Sequence, residues 1–124
     1  MGNKILFVDD EELICKLINR NVRKYFSKYE LLIANNGIEG LNIFKKYNSN
    51  LALVIIDKQM PMMSGNKLIS IIRKTNNKIP LILSSGDSFL TSEMLELKKK
   101  SLLYTLQKPF GFKQISNLVK KYAI

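Results

Sequence analysis

The sequence predicts a single α/β domain, residues 1–124, in which helices cover both faces of a doubly wound, five-stranded parallel sheet of (βα)5 type. Two observations support this fold. Five short apolar segments alternate along the chain with five longer amphipathic segments, a pattern typical of strand–helix units joined by right-handed crossovers. Three of the apolar segments are nearly continuous runs of Ile, Leu and Val, as expected for strands that are buried on both faces.

Short turn signals, such as Asn35-Asn36-Gly37 and Ser64-Gly65, separate the segments. The predicted strands are residues 4–8, 30–34, 51–56, 81–84 and 103–106. The predicted helices carry apolar residues at close to helical spacing and cover residues 11–26, 37–47, 66–73, 91–99 and a last stretch from 112 to 122. In the first helix we expect the core-facing side chains to be Ile14, Leu17, Ile18, Val22 and Tyr25.

The chain is basic, with a net charge of +10 that arises from 17 Lys and 3 Arg against 10 acidic residues. Such a charge can indicate nucleic acid or an anionic membrane as the partner. The lysines are scattered, however, and no stretch interleaves basic with aromatic residues. Solvated surface lysines are therefore the favoured interpretation.

Several features bear on the compartment. No apolar run approaches the roughly 20 residues needed to span a bilayer, so we expect no membrane span. Met1 leads within a few residues into the first strand, which argues against a signal peptide and suggests a free-standing protein. The sequence shows no internal repeat, low-complexity tract or linker, so we expect one domain with nothing attached and no DNA-binding domain in this chain. The single cysteine, Cys15, excludes an internal disulfide and fits a small core residue in a cytoplasmic protein.

The chain contains no histidine. This excludes His-based metal sites, Ser-His and Cys-His nucleophiles, and a role as a phosphohistidine donor. If a phosphoryl group passes through this protein, the histidine that carries it must belong to another molecule.

Charged and polar residues follow the predicted strands at their carboxyl ends, where open α/β sheets bind ligands. Asp9 and Asp10 follow the first strand, Asp57 the third, Ser84-Ser85-Gly86 the fourth and Lys108-Pro109 the fifth. The chain has only four aspartates, and three of them occupy these strand ends. Chance is a poor explanation of this placement.

This set of residues predicts metal-assisted phosphoryl transfer. Carboxylates packed together repel one another, and Mg²⁺, which prefers oxygen ligands, would relieve that repulsion. Asp57 could then attack a phosphoryl group as a carboxylate nucleophile. Lys108 would pair with Asp57 and then with a phosphoryl oxygen, while the hydroxyl of Ser85 would donate to another.

Each residue also has a plainer interpretation. Asp9 and Asp10, followed by Glu11 and Glu12, could simply favour the start of a helix through its dipole, and Asp57 could be an ordinary turn residue. The joint pattern is what makes this improbable. A metal-dependent phosphatase with an Asp-x-Asp motif is a further alternative, but Asp57-Lys58-Gln59 lacks the second aspartate.

At these positions the sequence resembles the receiver domain of two-component response regulators, which has a flavodoxin-like, CheY-like fold. The resemblance extends over essentially the whole chain, in the order of the family. It is carried by Ile5-Leu6-Phe7-Val8-Asp9-Asp10-Glu11, by Asp57-Lys58-Gln59-Met60-Pro61-Met62-Met63-Ser64-Gly65, by Ile79-Pro80-Leu81-Ile82-Leu83-Ser84-Ser85-Gly86 and by Gln107-Lys108-Pro109-Phe110.

The resemblance implies a strand order of 2-1-3-4-5 and makes Asp57 the phosphoacceptor. It implies that Asp10 and Asp57 bind Mg²⁺, or Mn²⁺ in its place, through carboxylates, that Gln59 does so through its backbone carbonyl, and that Asp9 acts mostly through metal-bound water. Lys108 would precede a cis proline. Ser85 rather than Ser84 would be the switch hydroxyl. Gln59 and Asp87 would lie over the site and tune the lifetime of the phosphoryl group.

The sequence departs from the family in the region that usually signals output. The switch position on the fifth strand, usually aromatic, is Thr105, with Tyr104 one residue earlier. Ser101 stands where a glycine is usual. Because threonine is too small to act as the aromatic switch, we expect a partner surface on helix four, strand five and helix five that is switched by the loop 85–91. Tyr104 should point to the opposite face of the sheet.

The resemblance therefore implies a phosphoacceptor signalling module that receives its phosphoryl group from a histidine kinase or a histidine phosphotransfer protein. It would be enzymatic only in its own phosphorylation and dephosphorylation. Two alternatives stay open: a receiver excised from a hybrid histidine kinase, and a docking domain that is not phosphorylated.

Overall fold

The computed structural model describes residues 2–123. Five parallel strands form one sheet in the order β2-β1-β3-β4-β5, which confirms the predicted fold and strand order. The strands are β1 Lys4–Val8, β2 Glu30–Ala34, β3 Leu51–Asp57, β4 Leu81–Ser85 and β5 Tyr104–Gln107. The helices are α1 Glu12–Tyr25, α2 Gly37–Tyr47, α3 Gly65–Thr75, α4 Ser92–Lys99 and α5 Phe112–Tyr122, with a short 3-10 turn at Asn48–Asn50.

Each strand begins and ends within one residue of its predicted bounds. The differences concern the residues at the strand ends. Asp57 and Ser85 are the last residues of β3 and β4, rather than the first residues of the following loops. β5 begins at Tyr104, one residue later than predicted. The helix α3 begins one residue early, because the hydroxyl of Ser64 accepts a hydrogen bond from the Lys67 N–H at 3.2 Å and caps it.

Apolar side chains fill both faces of the sheet. One core lies under α2, α3 and α4 and contains Leu6, Val54, Ile56, Leu68, Leu83 and Met94. The other lies under α1 and α5 and contains Phe7, Ile18, Leu53, Ile55, Ile82 and Ile115. Every residue of β3 is buried, so the central strand holds Asp57 at a fixed position between the two cores.

The predicted inner face of α1 was partly wrong. Leu17 and Tyr25 are exposed, and the buried residues of α1 are Cys15, Ile18, Asn21 and Val22. The spacing of apolar residues alone did not decide which face of α1 is buried. The exposed side chains of Leu13 and Leu17 repeat with the same helical period as the buried ones. In α4, Leu95 likewise faces solvent while Met94 is buried.

Cys15 is the core residue that the sequence suggested. Its thiol is buried and donates to the backbone oxygen of Asp9 at 3.4 Å. Burial, together with the nearby charge of Asp9, raises the pKa of this thiol to about 11. The thiolate form is therefore scarce at neutral pH, which is typical of a structural cysteine.

Two features lie near the end of α4, at the edge of the sheet where the parallel strands begin. Ser101 has φ of +59°, a left-handed conformation that glycine adopts without strain. The guanidinium of Arg73 on α3 donates to the backbone oxygens of Leu102 at 2.8 Å, Asn76 at 2.9 Å and Ile79 at 2.7 Å. Arg73 therefore joins the segment after α4 to the segment that enters β4.

Within residues 2–123, none of the helices has both the length and the apolar character that crossing a bilayer requires.

Candidate functional site

The ends of four strands meet at one edge of the sheet. Asp9 directly follows β1, Asp57 ends β3, Ser85 ends β4 and Lys108 directly follows β5. The sheet hydrogen bonds continue into these residues: the Asp9 N–H donates to the oxygen of Ala34 at 3.0 Å, and the Lys108 N–H donates to the oxygen of Ser85 at 2.7 Å. The backbone of each charged residue is thereby fixed by its neighbouring strand.

A glycine allows the chain after β3 to fold tightly against Asp57. The Gly65 N–H donates to the backbone oxygen of Lys58 at 2.9 Å. A Cβ atom on Gly65 would lie 2.2 Å from the backbone oxygen of Asp57, which is closer than any side chain can approach. This close contact explains the glycine that ends the motif beginning at Asp57.

Lys108 lies at the centre of the site. Its Nζ atom is 3.2 Å from Asp57 Oδ1, 3.2 Å from Asp9 Oδ2 and 2.9 Å from Glu11 Oε1. Burial alone would lower the pKa of Lys108, but the hydrogen bond to Glu11 and the charges of Asp9 and Asp57 raise that pKa above its ordinary value. The ammonium therefore stays charged and positioned beside the predicted acceptor. The Lys108–Pro109 peptide bond is cis, as the resemblance implied.

Each of the two buried aspartates has a carboxyl group whose pKa lies above its ordinary value. Burial, reinforced by the charge of Asp9, raises the pKa of Asp57 to about 6 despite the opposing effect of Lys108. Burial also raises the pKa of Asp9, although hydrogen bonding by the Glu11 N–H and the charge of Lys108 act in the opposite direction. Such perturbed carboxyl groups in a cleft are typical of functional sites.

The acidic cluster suits a hard divalent cation. Asp9, Asp10 and Asp57 each offer a carboxylate oxygen, and these three atoms lie within 4.8 Å of one another. Asp9 Oδ2 is buried and, among the described residues, accepts no well-oriented hydrogen bond, although Lys108 Nζ is 3.2 Å away. A buried carboxylate oxygen with spare acceptor capacity beside two further carboxylates fits the oxygen-rich coordination of Mg²⁺.

These residues surround an open depression, here called the acidic pocket. It is lined by Asp10, Glu11, Asp57, Lys58, Gln59, Ser85, Gly86 and Lys108. Of the two candidate serines, Ser85 reaches this pocket, whereas Ser84 is fully buried and its hydroxyl has no partner among residues 2–123. The structure thus brings together the predicted acceptor, metal ligands, lysine and switch hydroxyl.

The two candidate switch residues on β5 point to opposite faces. The Tyr104 ring stacks on Tyr122 of α5, with ring centroids 4.1 Å apart, and packs against the core under α1 and α5. Thr105 is exposed on the other face, where its hydroxyl accepts a hydrogen bond from Lys98 Nζ at 3.2 Å. Tyr104 thus points to the face of the sheet opposite to that of Thr105, as predicted. The switching roles of both residues stay predictions.

A cavity of about 220 Å³, here called the Thr105 cavity, lies between β5 and the loop after β4. Its lining includes Leu83, Ser85, Asp87, Leu90, Lys98 and Thr105. Asp87 was predicted to lie over the acceptor together with Gln59. Gln59 does line the acidic pocket, but Asp87 faces this second cavity and binds Lys58 at 2.8 Å.

Sequence reasoning missed the roles of two charged residues. Glu11 is the N-cap residue of α1 but makes no side-chain cap, and its carboxylate pairs instead with Lys108. Lys58 lies in the motif that begins at Asp57, where no separate role was predicted for it, and it pairs with Asp87 across two loops. The position of Glu11 directly after two site aspartates was a usable signal, whereas no sequence pattern singles out Lys58 among 17 lysines.

The model of the family described as response regulator receiver domain matches residues 5–120. The chain belongs to this family. Receiver domains act in two-component signalling, where they pair with histidine kinases or phosphotransfer proteins and generally bind Mg²⁺ in an acidic pocket. A solved response regulator receiver domain protein from Clostridium thermocellum has a TM-score of 0.81 to this receiver domain, with 28% identity over 97% of this chain and 92% of that one.

The relatives of this receiver domain differ greatly in length. The sporulation initiation phosphotransferase F of Bacillus subtilis is 31% identical over 122 residues, which cover 98% of this chain and 94% of that protein. The hybrid signal transduction histidine kinase G of Dictyostelium discoideum is 30% identical over 122 residues, but these cover only 4% of that protein. A probable transcriptional regulatory protein of Picosynechococcus is covered to 45%. The chain thus spans less than half of several curated relatives that it matches.

Proposed function

We propose that this receiver domain accepts a phosphoryl group on Asp57 from a phosphohistidine of a partner protein, either a histidine kinase or a histidine phosphotransfer protein. One observation carries the proposal. Asp57 ends a fully buried strand, yet its carboxylate lies 3.2 Å from the ammonium of Lys108 and within 4.8 Å of ligand oxygens of Asp9 and Asp10. The donor histidine belongs to the partner, because this chain has none.

The transfer is a substitution at phosphorus. An oxygen of the Asp57 carboxylate forms a bond to phosphorus while the bond between phosphorus and the imidazole nitrogen breaks, and the nitrogen leaves with the electron pair. Lys108 lies close enough to bind a phosphoryl oxygen and balance its charge. Ser85 lines the same pocket and supplies a hydroxyl donor. In the later hydrolysis a water oxygen bonds to phosphorus while the bond from phosphorus to the Asp57 oxygen breaks, which releases inorganic phosphate and restores the free carboxylate. The domain would thus catalyse only its own phosphorylation and dephosphorylation.

We propose that Asp9, Asp10 and Asp57 hold Mg²⁺, or Mn²⁺ in its place, with the backbone carbonyl of Gln59. The fit rests on the three converging carboxylates and on the spare acceptor capacity of buried Asp9 Oδ2. A bound divalent cation would supply positive charge to the attacking carboxylate and the phosphoryl oxygens. The protein itself provides the oxygen ligands and the fixed ammonium of Lys108.

The output is proposed to pass through the face formed by α4, β5 and α5, to a downstream protein, in the cytoplasm. Exposed Thr105 and Leu95 lie on this side of the molecule. The receiver of a hybrid histidine kinase is the second candidate, favoured by the 30% identity to the Dictyostelium discoideum kinase. A docking domain that is never phosphorylated is disfavoured. Docking requires neither a buried Asp57 carboxyl group with a raised pKa nor a lysine, Lys108, that pairs with three acidic side chains.

Intact mass tests the acceptor. The protein is incubated with a small phosphodonor and Mg²⁺, and the uptake of one phosphoryl group is measured for the wild type, Asp57→Asn and Glu39→Gln. We expect uptake by the wild type and by Glu39→Gln, a matched change of one acid on α2, and none by Asp57→Asn. Equal uptake by Asp57→Asn and the wild type would exclude Asp57 as the acceptor.

A further inference from the structure

Lys58 joins two loops beside the acidic pocket. Its side chain is only 12% exposed, although it lies in the loop after β3. The Nζ atom donates to Asp87 Oδ1 at 2.8 Å and to the backbone oxygen of Phe89 at 3.0 Å, and it lies 5.1 Å from the centre of the Phe89 ring. All three contacts are to the β4–α4 loop, residues 86–91. This set of contacts is called the Lys58 clamp below.

The Lys58 clamp also reaches the switch hydroxyl. The Asp87 N–H donates to Ser85 Oγ at 3.1 Å, and Asp87 Oδ1 lies 3.4 Å from the same hydroxyl. Asp87 Oδ1 further accepts the Phe89 N–H at 2.9 Å, which folds the loop around the carboxylate. The hydroxyl of Ser85 is therefore engaged by Asp87, and Asp87 is held by Lys58.

Lys58 also lies next to the proposed site of phosphorylation, since it directly follows Asp57 and lines the acidic pocket with it. A phosphoryl group carries a charge of about −2 near neutral pH, compared with −1 for a carboxylate. The present partner of Lys58 is the weaker competitor, since the side chain of Asp87 is 53% exposed and screened by water. A phosphoryl group on Asp57 would therefore compete with Asp87 for the ammonium of Lys58.

The β4–α4 loop has room to move once it is released. Gly86, Asp87, Ser88 and Phe89 are all exposed, so their displacement breaks no core packing. The Thr105 cavity of about 220 Å³ lies directly behind Asp87 and Ser88. A change at Lys58 can thus become a change in the shape of the loop that leads into α4.

We propose that Lys58 is a positioning residue that couples phosphorylation of Asp57 to the β4–α4 loop by exchanging Asp87 for a phosphoryl oxygen. In the unphosphorylated domain the Lys58 clamp holds the loop and keeps the Ser85 hydroxyl on Asp87. In the phosphorylated domain both the loop and the hydroxyl are released. The inference rests on the proposed phosphorylation of Asp57, and it gives this domain a route to the loop that needs no aromatic side chain at Thr105.

A purely structural role for Lys58 makes a different prediction. If the Lys58 clamp only stabilised the loop, its loss would lower the free energy of unfolding but leave the response of the loop to phosphorylation unchanged. The decisive readout is therefore the loop response, measured as backbone amide chemical shifts of Gly86, Asp87 and Ser88. The phosphoryl mimic is beryllofluoride, added with Mg²⁺ to the whole chain.

In Lys58→Met we expect these amides to lie at least halfway to their mimic-bound positions before beryllofluoride is added. The remaining shift should be less than half of that in the wild type. Lys58→Arg, which keeps the cation, should restore most of the wild-type response. Lys16→Met removes a lysine from an exposed pair with Glu12 and should leave the full response. A full wild-type response in Lys58→Met would overturn the inference.

Asp87→Asn tests the same clamp while the Lys58 cation is kept. We expect the same displaced amides, and Lys58→Met/Asp87→Asn should shift them no further than Lys58→Met alone, because the ion pair between Lys58 and Asp87 is already lost in each single variant. Additive shifts would overturn the inference. Phosphate uptake from a small donor, followed by intact mass, separates the two proposals. A wild type that takes up no phosphate would exclude the proposed function, whereas normal uptake with an unaltered loop response in Lys58→Met would exclude only the role of Lys58.

Discussion

The acidic pocket and the Thr105 cavity lie on either side of Ser85, but they are built differently. In the acidic pocket, Lys108 is nearly buried and forms ion pairs of 3.2 Å with the buried carboxylates of Asp9 and Asp57. These pairs hold all three side chains in place. At the Thr105 cavity, by contrast, the hydrogen bond from Lys98 to Thr105 is exposed. Buried charges have few alternatives to their present partners, whereas exposed ones exchange partners with water readily. The difference indicates a rigid acidic pocket beside a surface on which exposed polar contacts can rearrange.

Removal of Lys108 should have the largest effect on stability, because it leaves two buried carboxylates without their cation. We expect Lys108→Ala to lower the free energy of unfolding by about 3 kcal/mol at pH 7.5 without metal, as measured by urea denaturation. The change should also weaken the conformational response to beryllofluoride more than it weakens Mg²⁺ binding. The control is Lys16→Ala on exposed α1, with an expected loss within about 0.5 kcal/mol. Equal losses in both variants would mean that the acidic pocket is no more rigid than the surface.

Mg²⁺ should stabilise the acidic pocket by relieving the repulsion between its carboxylates. At a concentration 100-fold above its dissociation constant, we expect the free energy of unfolding to rise by about 2.7 kcal/mol. Asp10→Ala should lose this gain, since it removes one of the three converging ligands. Thermal unfolding with and without Mg²⁺ measures both proteins. An undiminished gain in Asp10→Ala would place the metal elsewhere.

Asp57→Asn should stabilise the metal-free protein at neutral pH. Burial raises the pKa of Asp57 in the folded state to about 6, above the ordinary value of 3.8, so its contribution to stability is present below about pH 4 and is lost as the pH rises through 6. At pH 7.5 we expect the variant to be about 2 kcal/mol more stable than the wild type. Urea denaturation between pH 4 and 7.5 tests this, and an advantage that grows towards low pH would contradict the assigned pKa.

Tyr104 and Thr105 offer a direct test of the two faces of β5. Tyr104 stacks on Tyr122 and is half-buried, so Tyr104→Ala should cost about 1.5 kcal/mol in the free energy of unfolding. The response of the β4–α4 loop to beryllofluoride should nevertheless remain. A loss of that response in Tyr104→Ala would restore an aromatic switch and count against the assigned roles.

The smallest effect is expected at Thr105 itself. Its side chain is exposed, and its hydrogen bond from Lys98 is accessible to water, so Thr105→Ala should change the free energy of unfolding by no more than about 0.5 kcal/mol. In amide spectra, the shift of Thr105 on addition of beryllofluoride should be smaller than those of Gly86, Asp87 and Ser88. A larger shift at Thr105 would show that β5, rather than the loop, carries the response.

The sequence predicted the acidic pocket because topology brings the carboxyl ends of parallel strands to one edge. Asp9, Asp57 and Lys108 needed only that rule and the positions of the strand ends. The inner face of α1 was harder, since Leu17 and Ile18 fit neighbouring helical stripes equally well. The partner of Lys58 could not be predicted at all, because loop conformation decides which of many surface charges a flexible lysine reaches.

Arg73 gives α4 a fixed end. Its guanidinium holds the oxygen of Leu102, just beyond the last turn of α4, to the backbone that enters β4. The other end of α4 follows the β4–α4 loop, whose residues 86–89 are exposed. The first turn of α4 is also held, because Met94 is buried in the core under α2, α3 and α4. A small displacement beside Ser85 should therefore be taken up by the exposed residues 86–89, while the body of α4 keeps its place over the sheet.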